Sequence, residues 1–398
     1  MSIWHQAMLI VWAINALLIV SGTIYTIWRS RRAIKPMPSG AGPLPPISIL
    51  KPVKGADPGL FENLESFMDL DYPSYEILIC TADMDDPAVA IVQQLQAAYP
   101  KHPVRLVQSD PHFGFNPKVA NLHPAWRLAA HDLVLVSDSN IRVDRDYLQQ
   151  VLPHLTADTG TVTAFIRCFG GHGLGGKLEE CIWNSFYARW VNLAYAVGLP
   201  IVVGKSLLFR QSLVEQFGGY SACIDCIGED YKFGDEISKL GKHVELMNRP
   251  IPQFVGTKTF SDFWSRNYRW HFLQKNYEPI LFLLTPLQYP VVLGALTGTW
   301  AGWFGTMIVW AILDRILLRA LKSEVSSAPI WLLGQFLSPV LWVQALCSNS
   351  VRWRGNMLTI ESSRRPLFAI KAWVHRGLMW ARRGSRNQVG DMLHPDNG

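Results

Sequence analysis

Two patterns of apolar and polar residues succeed one another along this 398-residue chain. Short apolar runs bounded by polar residues are typical of buried strands, and they recur through the first half of the chain. Between them, apolar residues such as Ala88, Val92 and Leu95 have the spacing of a helix with one buried face. Strands that alternate with helices indicate a mostly parallel sheet covered on both sides. We predict strands at Ile47–Leu50, Tyr75–Thr81, Val104–Val107, Leu133–Val136, Thr161–Ile166 and Ile201–Phe209.

The pattern changes after Ile166, where the glycine-rich stretch "GHGLGGKL" begins a few residues later. This stretch has the glycine and lysine spacing of a phosphate-binding P-loop. However, Leu178 stands where a P-loop needs a magnesium-binding Ser or Thr, and the candidate partner strand precedes the loop. We therefore interpret the stretch as a flexible substrate loop. An aromatic helix is predicted at Trp183–Tyr195 and another helix at Glu229–Leu240.

Much longer apolar stretches lie near both ends of the chain. Met8–Trp28 is long enough to cross a hydrocarbon core of ~30 Å. The basic residues after it place the next segment in the cytoplasm by the positive-inside bias. These are Arg29, Arg31, Arg32 and Lys35. Later stretches are Ile280–Leu296, Trp300–Leu318 and Ile330–Cys347.

The end of the chain is also basic, so the positive-inside bias places it in the cytoplasm as well. Its basic residues include Arg352, Arg354, Arg364, Arg365 and Lys371. An even number of crossings must then separate it from the preceding domain, so one of the three late stretches should be re-entrant or lie flat. Pro286 and Pro290 favour the first stretch for this, and Pro339 makes the third a rival.

The resulting organisation has four parts. We predict a membrane anchor and linker over 1–38, a cytoplasmic α/β domain over 39–275, hydrophobic membrane segments over 276–349, and a basic cytoplasmic tail over 350–398.

The composition agrees with a membrane protein and excludes some alternatives. Hydrophobic residues make up 49% of the chain, charged residues 17%, and there are 16 tryptophans that can anchor it at the interface. The net charge of +6 is concentrated near the membrane segments and the tail, and no basic stripe indicates a nucleic-acid partner. Cys223 and Cys226 form a lone CxxC, and a structural zinc site would need a second pair.

Acidic residues follow two of the predicted strands. Asp138 ends the strand in "LVLVSDSN", and Asp86, with Asp83 and Asp85, follows the second strand. The carboxyl ends of parallel strands form the edge at which α/β proteins bind ligands. Carboxylates at that edge can hold a divalent metal or accept hydrogen bonds from a nucleoside. A turn aspartate that bonds its own backbone is the alternative.

Two further motifs carry charge. Glu229 and Asp230 begin a predicted helix, where simple helix capping is an alternative role. Arg266, Arg269 and Trp270 share the segment "SRNYRW" directly before the late apolar stretches. Anchoring at the membrane interface would explain that composition equally well.

Taken in order, these motifs resemble a known series. They are similar to the D, D, D, (Q/R)xxRW pattern of membrane-bound, inverting glycosyltransferases of the GT-A fold, and most of all to the ceramide glucosyltransferases of glycosyltransferase family 21. The resemblance covers roughly Ile47 to Trp270, and "VRWRG" at 351–355 also looks like a family segment. The matching segments are "LKPVKGADPGL", "DDPAV", "NPKVANL", "SDSNIRV", "GKSLLFR", "GEDY" and "RNYRW".

The resemblance implies a fold and a reaction. The fold would be α/β, a GT-A domain with a mostly parallel sheet, joined to transmembrane helices. The reaction would transfer a sugar, glucose by this likeness, from a UDP-sugar to the hydroxyl of a membrane lipid, ceramide, with inversion. Asn140 replaces the second acid of the D-x-D found in many relatives, so Mg²⁺ or Mn²⁺ binding would rest on Asp138.

The resemblance also assigns roles to residues. Asp230 is the candidate general base, Asp86 would lie near the uridine, and Trp270 would close the acceptor side. Arg269 and Arg266 would bind the donor phosphates. Further donor contacts are expected from Lys51, Lys118 and Asn121.

Some alternatives stay open at this stage. Hopanoid glycosyltransferases have similar segments, so a hopanoid or another lipid could be the acceptor. A processive polysaccharide synthase has glutamine at the position of Arg266 and a longer membrane domain, whereas a non-catalytic scaffold would be expected to have lost some acids. We expect a multi-pass protein of a bacterial inner membrane with its catalytic domain on the cytoplasmic face.

Overall fold

The computed structural model describes residues 2–33, 43–102, 104–110, 112–325, 327–353 and 356–359. An α/β domain is bounded by one long helix before it and two long helices after it. The strands are β1 (Ile47–Pro52), β2 (Tyr75–Thr81), β3 (Val104–Gln108), β4 (Leu133–Ser137), β5 (Thr159–Thr163), β6 (Ile166–His172), β7 (Ser206–Arg210), β8 (His243–Leu246), β9 (Ile251–Thr257), β10 (Ser350–Trp353) and β11 (Asn356–Thr359).

The helices include several short ones and are numbered in chain order. They are α1 (Ile3–Ser30), α2 (Leu60–Glu65), α3 (Pro87–Ala98), α4 (Pro117–Leu128), α5 (Tyr147–Val151), α6 (Gly173–Ile182), α7 (Ala188–Ala196), α8 (Gln211–Val214), α9 (Glu229–Lys239), α10 (Phe260–Tyr277), α11 (Pro279–Leu284), α12 (Pro290–Ala295), α13 (Trp300–Ala320) and α14 (Ala328–Cys347). One π-helical turn, Trp183–Tyr187, joins α6 to α7.

The main sheet has the strand order β3-β2-β1-β4-β7-β5-β8. Most neighbours are parallel, but β7 runs antiparallel to both β4 and β5. The side chains of β4 are buried on both faces of the sheet, because helices cover both. This confirms the predicted α/β class and its mostly parallel sheet.

The first four predicted strands are confirmed to within one or two residues, and two others need correction. The predicted strand Thr161–Ile166 is divided between β5 in the main sheet and β6, which pairs with β9 in a second sheet. The predicted strand Ile201–Phe209 begins only at Ser206. The predicted helix Glu229–Leu240 is confirmed as α9.

The glycine-rich stretch is not a flexible loop, so that interpretation was wrong. It ends β6 and begins α6, and its glycines allow close packing against β9 and the segment after it. A Cβ atom at Gly175 would lie 1.9 Å from the backbone oxygen of Thr259, and one at Gly176 would lie 2.8 Å from that of Gly256. A side chain at either position would collide with backbone, which explains the glycines without a bound phosphate.

The late apolar stretches differ from one another as the proline argument predicted. The first is broken into α11, a 3-10 turn at Thr285–Gln288, and α12, because Pro286 and Pro290 begin new helical segments. The other two are continuous as α13 and α14, and Pro339 does not end α14. Among the described residues, α1, α13 and α14 are the three helices long and apolar enough to cross a membrane.

Buried polar contacts connect these long helices to the α/β domain. Arg189 of α7 forms an ion pair with Asp314 of α13, and its Nε donates to Thr23 of α1 at 2.9 Å. Trp331 of α14 donates to the other oxygen of Asp314 at 2.7 Å. Because Arg189 and Asp314 are both almost fully buried, the pair couples three long helices to α7.

A second contact of this kind involves Glu180 on α6. Its carboxylate accepts hydrogen bonds from the connection between α13 and α14. The donors are the Ser323 hydroxyl at 2.9 Å, the Glu324 amide at 2.9 Å and the Val325 amide at 3.2 Å. The position of α6 is therefore tied to that of the α13–α14 pair.

The predicted tail begins with two short strands. β10 pairs antiparallel with β11 directly after α14. Val351 is buried against Ile227 and Phe272, so β10 packs on the α/β domain and on α10. Residues 360–398, with Arg364, Arg365 and Lys371, lie outside the described residues, as do Lys35 and Arg354.

Candidate active site

A cleft of about 440 Å³ opens at the carboxyl ends of β1 and β4. The start of α4, the start of α9 and one face of α10 complete its walls. This is the edge of the sheet at which the sequence predicted a ligand site. Seven of the predicted site residues line it, namely Lys118, Asn121, Asp138, Asp230, Arg266, Arg269 and Trp270.

Asp138 lies between two lysines at the floor of the cleft. Its carboxylate is 2.9 Å from Nζ of Lys118 and 2.7 Å from Nζ of Lys205. Burial alone would raise the pKa of Asp138, but the two ammonium groups outweigh burial and hold that pKa well below its usual range. Asp138 is therefore ionised at neutral pH, with both oxygens in contact with cations.

Lys118 connects Asp138 to the Glu-Asp motif. Its ammonium also contacts a Glu229 oxygen at 3.0 Å and donates to the Gly204 carbonyl at 2.6 Å. Burial acts to lower the pKa of Lys118, but Asp138 and Glu229 outweigh it and raise that pKa well above its usual value. The side chain of Asn116 caps α4 by accepting from the amides of Lys118 and Val119, which fixes where Lys118 enters the cleft.

Asp230 occupies the first turn of α9 beside Glu229. Burial, and then the negative charge of Glu229, raise the pKa of Asp230 to about 7. One oxygen accepts from the amide of Tyr231 at 3.0 Å. A Cβ atom at Gly204 would lie 3.3 Å from the other oxygen, so the glycine leaves room beside this carboxylate. A carboxylate with a pKa near neutral, lining a cleft, has the properties of a general base.

Helix α10 forms the wall opposite the strands. Thr259 begins it with a capping box, since Thr259 and Asp262 each accept a hydrogen bond from the other's backbone amide. Arg266, Arg269 and Trp270 are three and four residues apart and so share one helical face. The Trp270 ring packs edge-on against Trp183, with centroids 4.7 Å apart.

Helix α10 is also fixed to the end of α14. Trp264 donates to the Gln344 side chain at 2.9 Å, and Lys275 donates to the carbonyl of Ala345 at 2.9 Å. The hydroxyl of Tyr268 donates to the carbonyl of Ser350 at 2.7 Å. The cleft therefore lies directly beside a helix that is long and apolar enough to span a membrane.

The model of the family described as glycosyl transferase family 21 matches residues 10–365. The chain belongs to glycosyl transferase family 21. That membership confirms the resemblance noted in the sequence and makes the protein a glycosyltransferase, an enzyme of the hexosyltransferase class.

Characterised relatives of this family 21 member come from a nematode and a yeast. Ceramide glucosyltransferase 1 of Caenorhabditis elegans is 27% identical over 355 residues, covering 85% of this chain and 75% of the relative. Ceramide glucosyltransferase of Candida albicans is 36% identical, covering 79% of this chain and 86% of the relative.

A solved structure supports the fold. A mannosyltransferase from Pyrobaculum calidifontis, in complex with GDP-Man and Mn²⁺, superposes with a TM-score of 0.51 at 16% identity. The match covers 85% of this family 21 chain and 99% of the other. At that identity the likeness bears on the fold, and it confirms the GT-A architecture.

Two predicted site residues of the family 21 protein lie outside the lining of the cleft. Asp86 caps α3 through the amide of Ala88 at 2.8 Å, and it also accepts from the amide of Gly55 at 2.8 Å. Lys51 is fully buried beneath the floor, with Nζ 3.2 Å from the Asp138 carbonyl. Burial lowers the pKa of Lys51 to about 7.

Asn121 reaches the cleft, but its amide is used within the fold. It donates to the carbonyls of Val53 and Cys80 at 3.2 and 3.0 Å and accepts from the hydroxyl of Ser109. Its donor-binding role, like those of Asp86 and Lys51, stays a prediction.

The sequence missed Glu179, Lys205 and Arg352 as residues of this family 21 site. Lys205 reaches the floor because β7 is antiparallel, so the start of β7 meets the carboxyl end of β4. Glu179 lies on α6, which matched none of the predicted acidic motifs, and Arg352 belongs to the segment predicted as the tail. The segment "GKSLLFR" belongs to the family resemblance, but the sequence pattern does not indicate the direction of β7.

Proposed function

We propose that this protein transfers a hexose, glucose by analogy with its relatives, from a UDP-sugar to the hydroxyl of a membrane lipid, with inversion at the anomeric carbon. Ceramide is the acceptor that the two named relatives favour. The single observation that carries the proposal is one cleft that holds both a carboxylate with a pKa of about 7, Asp230, and cationic residues that suit a diphosphate.

The donor end of the cleft suits a nucleotide diphosphate. Arg269 and Arg352 bring positive charge to a lining that also contains Lys118 and Lys205, two lysines whose charge is already balanced by Asp138 and Glu229. Charged hydrogen bonds from arginine side chains stabilise phosphate oxygens. UDP leaves with increasing negative charge as the glycosidic bond to the donor breaks. Groups already oriented toward that charge lower the barrier without reorganising.

The acceptor end suits a lipid hydroxyl. Asp230 takes the proton of that hydroxyl while the oxygen attacks the anomeric carbon from the face opposite UDP, which inverts the configuration. General-base catalysis of this kind contributes ~10²–10⁴-fold to the rate. Trp270 adds an apolar ring to the same cleft as Asp230. Because α10 is fixed to α14, a helix long and apolar enough to span a membrane, a lipid would reach the cleft with its chains still in the bilayer.

A divalent cation, Mg²⁺ or Mn²⁺, fits the chemistry of the floor residues. Asp138 supplies a carboxylate that is ionised at neutral pH and Asn140 an amide oxygen, both lining the cleft. Among the described residues no three His, Cys, Asp or Glu side chains converge on a point. That fits magnesium-type binding, in which one or two protein ligands suffice and phosphates and water complete the shell. When bound, the ion would neutralise the departing diphosphate.

The proposed location follows from charge. Arg29 lies in the last turn of α1 and Arg31 and Arg32 follow the helix, which favours a cytoplasmic α/β domain in a multi-pass protein of a bacterial inner membrane. UDP-sugars would then reach the cleft from the cytoplasm.

Transfer assays on the purified full chain test the proposal. We expect radiolabelled glucose from UDP-glucose to appear in a lipid product when ceramide vesicles are supplied, and not with the Asp230→Asn variant. Parallel assays with hopanoid, diacylglycerol and no lipid identify the acceptor. Polymer formation without lipid would instead support a processive synthase, and hydrolysis alone in every assay would contradict lipid glycosylation.

A further inference from the structure

Glu179 is a buried acid that the proposed mechanism does not use. It lies on α6, its residue is 0% exposed, and it borders the cleft. One cation contacts it, since Nη1 of Arg266 is 2.9 Å from its Oε1. Its second oxygen has no hydrogen-bond partner among the described residues. A buried carboxylate in this state depends on that single ion pair.

The pair changes what Arg266 can contribute to the cleft. A guanidinium whose charge is balanced at 2.9 Å adds little net positive charge for a diphosphate. Its position, in contrast, is strongly determined, because the partner is fully buried and cannot follow it into solvent. Arg266 is therefore placed to fix geometry rather than to bind phosphate.

The ion pair between Arg266 and Glu179 fixes the rotation of α10 about its own axis. Arg269 and Trp270 lie on the same face as Arg266, so holding Arg266 against α6 directs both residues into the cleft. The helix α6 is itself held by Glu180, whose carboxylate bonds the connection between α13 and α14. The two adjacent acids thus connect the membrane helices on one side to α10 on the other.

We infer that Glu179 is a positioning residue, which holds Arg266 and thereby sets α10 so that Arg269 faces the donor. The inference rests on the proposed function. It assigns different roles to the two arginines of "RNYRW". Arg266 pairs with Glu179, and Arg269 contacts the phosphates.

A rescue experiment with two substitutions tests this division. Arg266→Gln alone leaves Glu179 buried without a counter-charge, so we expect a loss of about tenfold or more in kcat/KM for the UDP-sugar, together with a lower Tm. Adding Glu179→Gln removes the buried charge and lets two amides pair. We expect the double variant to recover most of the lost kcat/KM and Tm.

The neighbouring acid provides the control. Glu180→Gln combined with Arg266→Gln should give no recovery, because Glu180 bonds the α13–α14 connection instead. A direct phosphate contact by Arg266 would also give no recovery with Glu179→Gln, and that result would overturn the inference. If the parent chain transfers no sugar, the proposed function fails. The Tm of the same variants, measured without substrate, then decides the inference alone: recovery supports the pair, and additive losses refute it.

Discussion

Lys205 donates a 2.7 Å hydrogen bond to Oδ2 of Asp138 across two strands that run in opposite directions. The lysine precedes β7 and the aspartate follows β4, so the two meet at one edge of the sheet. Together with Lys118 they form a charged floor that already balances the aspartate before a donor binds. In the proposed reaction, a donor diphosphate would therefore meet these ammonium groups already in place.

Metal dependence is the first prediction. A cation bound at Asp138 would compete with Lys118 and Lys205 for its oxygens, and it would be retained because the donor diphosphate supplies further ligands. We expect EDTA to abolish turnover, and Mn²⁺ or Mg²⁺ to restore it, in a radiometric transfer assay. Full turnover in EDTA would assign neutralisation of the diphosphate to the two lysines.

Asp230→Asn should separate catalysis from donor binding. The amide fills the same space but cannot take a proton, so we expect kcat to fall by about 10²-fold or more while the KM for UDP-sugar stays within about twofold. Asp235→Asn, farther along α9 and paired with Lys239, is the matched control and should keep the parent kcat. A kcat for Asp230→Asn within about threefold of the parent would exclude Asp230 as the base.

The pH dependence of kcat/KM should report the titration of the same carboxylate, Asp230. Burial and Glu229 raise the pKa of Asp230 to about 7, and the base works only when deprotonated. We therefore expect log kcat/KM to rise with pH below about 7 with a slope near one and to level off above it. Initial rates at saturating metal across this interval measure the profile. A rate independent of pH between about 6 and 8 would contradict the assignment.

Arg269→Lys tests whether α10 serves chemistry as well as anchoring. Lysine keeps the charge but loses the planar fork that binds two phosphate oxygens, so UDP-sugar turnover should fall strongly. Membrane retention should be unchanged, because lysine reaches the interface as readily as arginine. Arg249→Lys, at an exposed position outside the cleft lining, is the control for general effects of the swap. Parent-like turnover in Arg269→Lys with normal retention would leave only the anchoring role.

Arg352→Gln tests the part that the segment after α14 plays in the cleft. This exposed arginine borders the cleft, so we expect its loss to raise the KM for UDP-sugar by about two- to fivefold and leave kcat near the parent value. The effect should shrink at high salt because the charge is solvent-exposed. Arg249→Gln should change neither constant. An unchanged KM for UDP-sugar at low salt would show that Arg352 has no part in donor binding.

Periodicity was a good guide to the parallel half of the fold. The strands β1, β2 and β4 are mostly apolar because they are buried on both faces, and such runs can be recognised in the sequence without knowing their partners. The turn from β5 into β6 was not visible, because Ala164 and Phe165 between them are as apolar and as buried as the strands. An apolar run in the sequence indicates that its residues are buried. It does not indicate which sheet each residue joins.

The site was predicted where its residues follow strand ends or begin helices. Asp138 and Asp230 stand at such places, and the edge rule for parallel sheets brings them together. The sequence did not predict Lys205 or Glu179 as site residues. The placement of Lys205 depends on the direction of a strand, and that of Glu179 depends on a helix–helix contact. Asp86 accepts hydrogen bonds from two backbone amides in this structure, a helix-capping role that the sequence analysis had not considered for it.

The ion pair between Arg189 and Asp314 has a consequence for how the protein is made. The two residues are 125 positions apart, and at a synthesis rate of ~5–20 residues per second Arg189 precedes Asp314 by roughly 6–25 s. During that interval the guanidinium has no carboxylate to receive it. The contact between α7 and α13 can therefore form only after α13 has been synthesised, later than every strand of the main sheet.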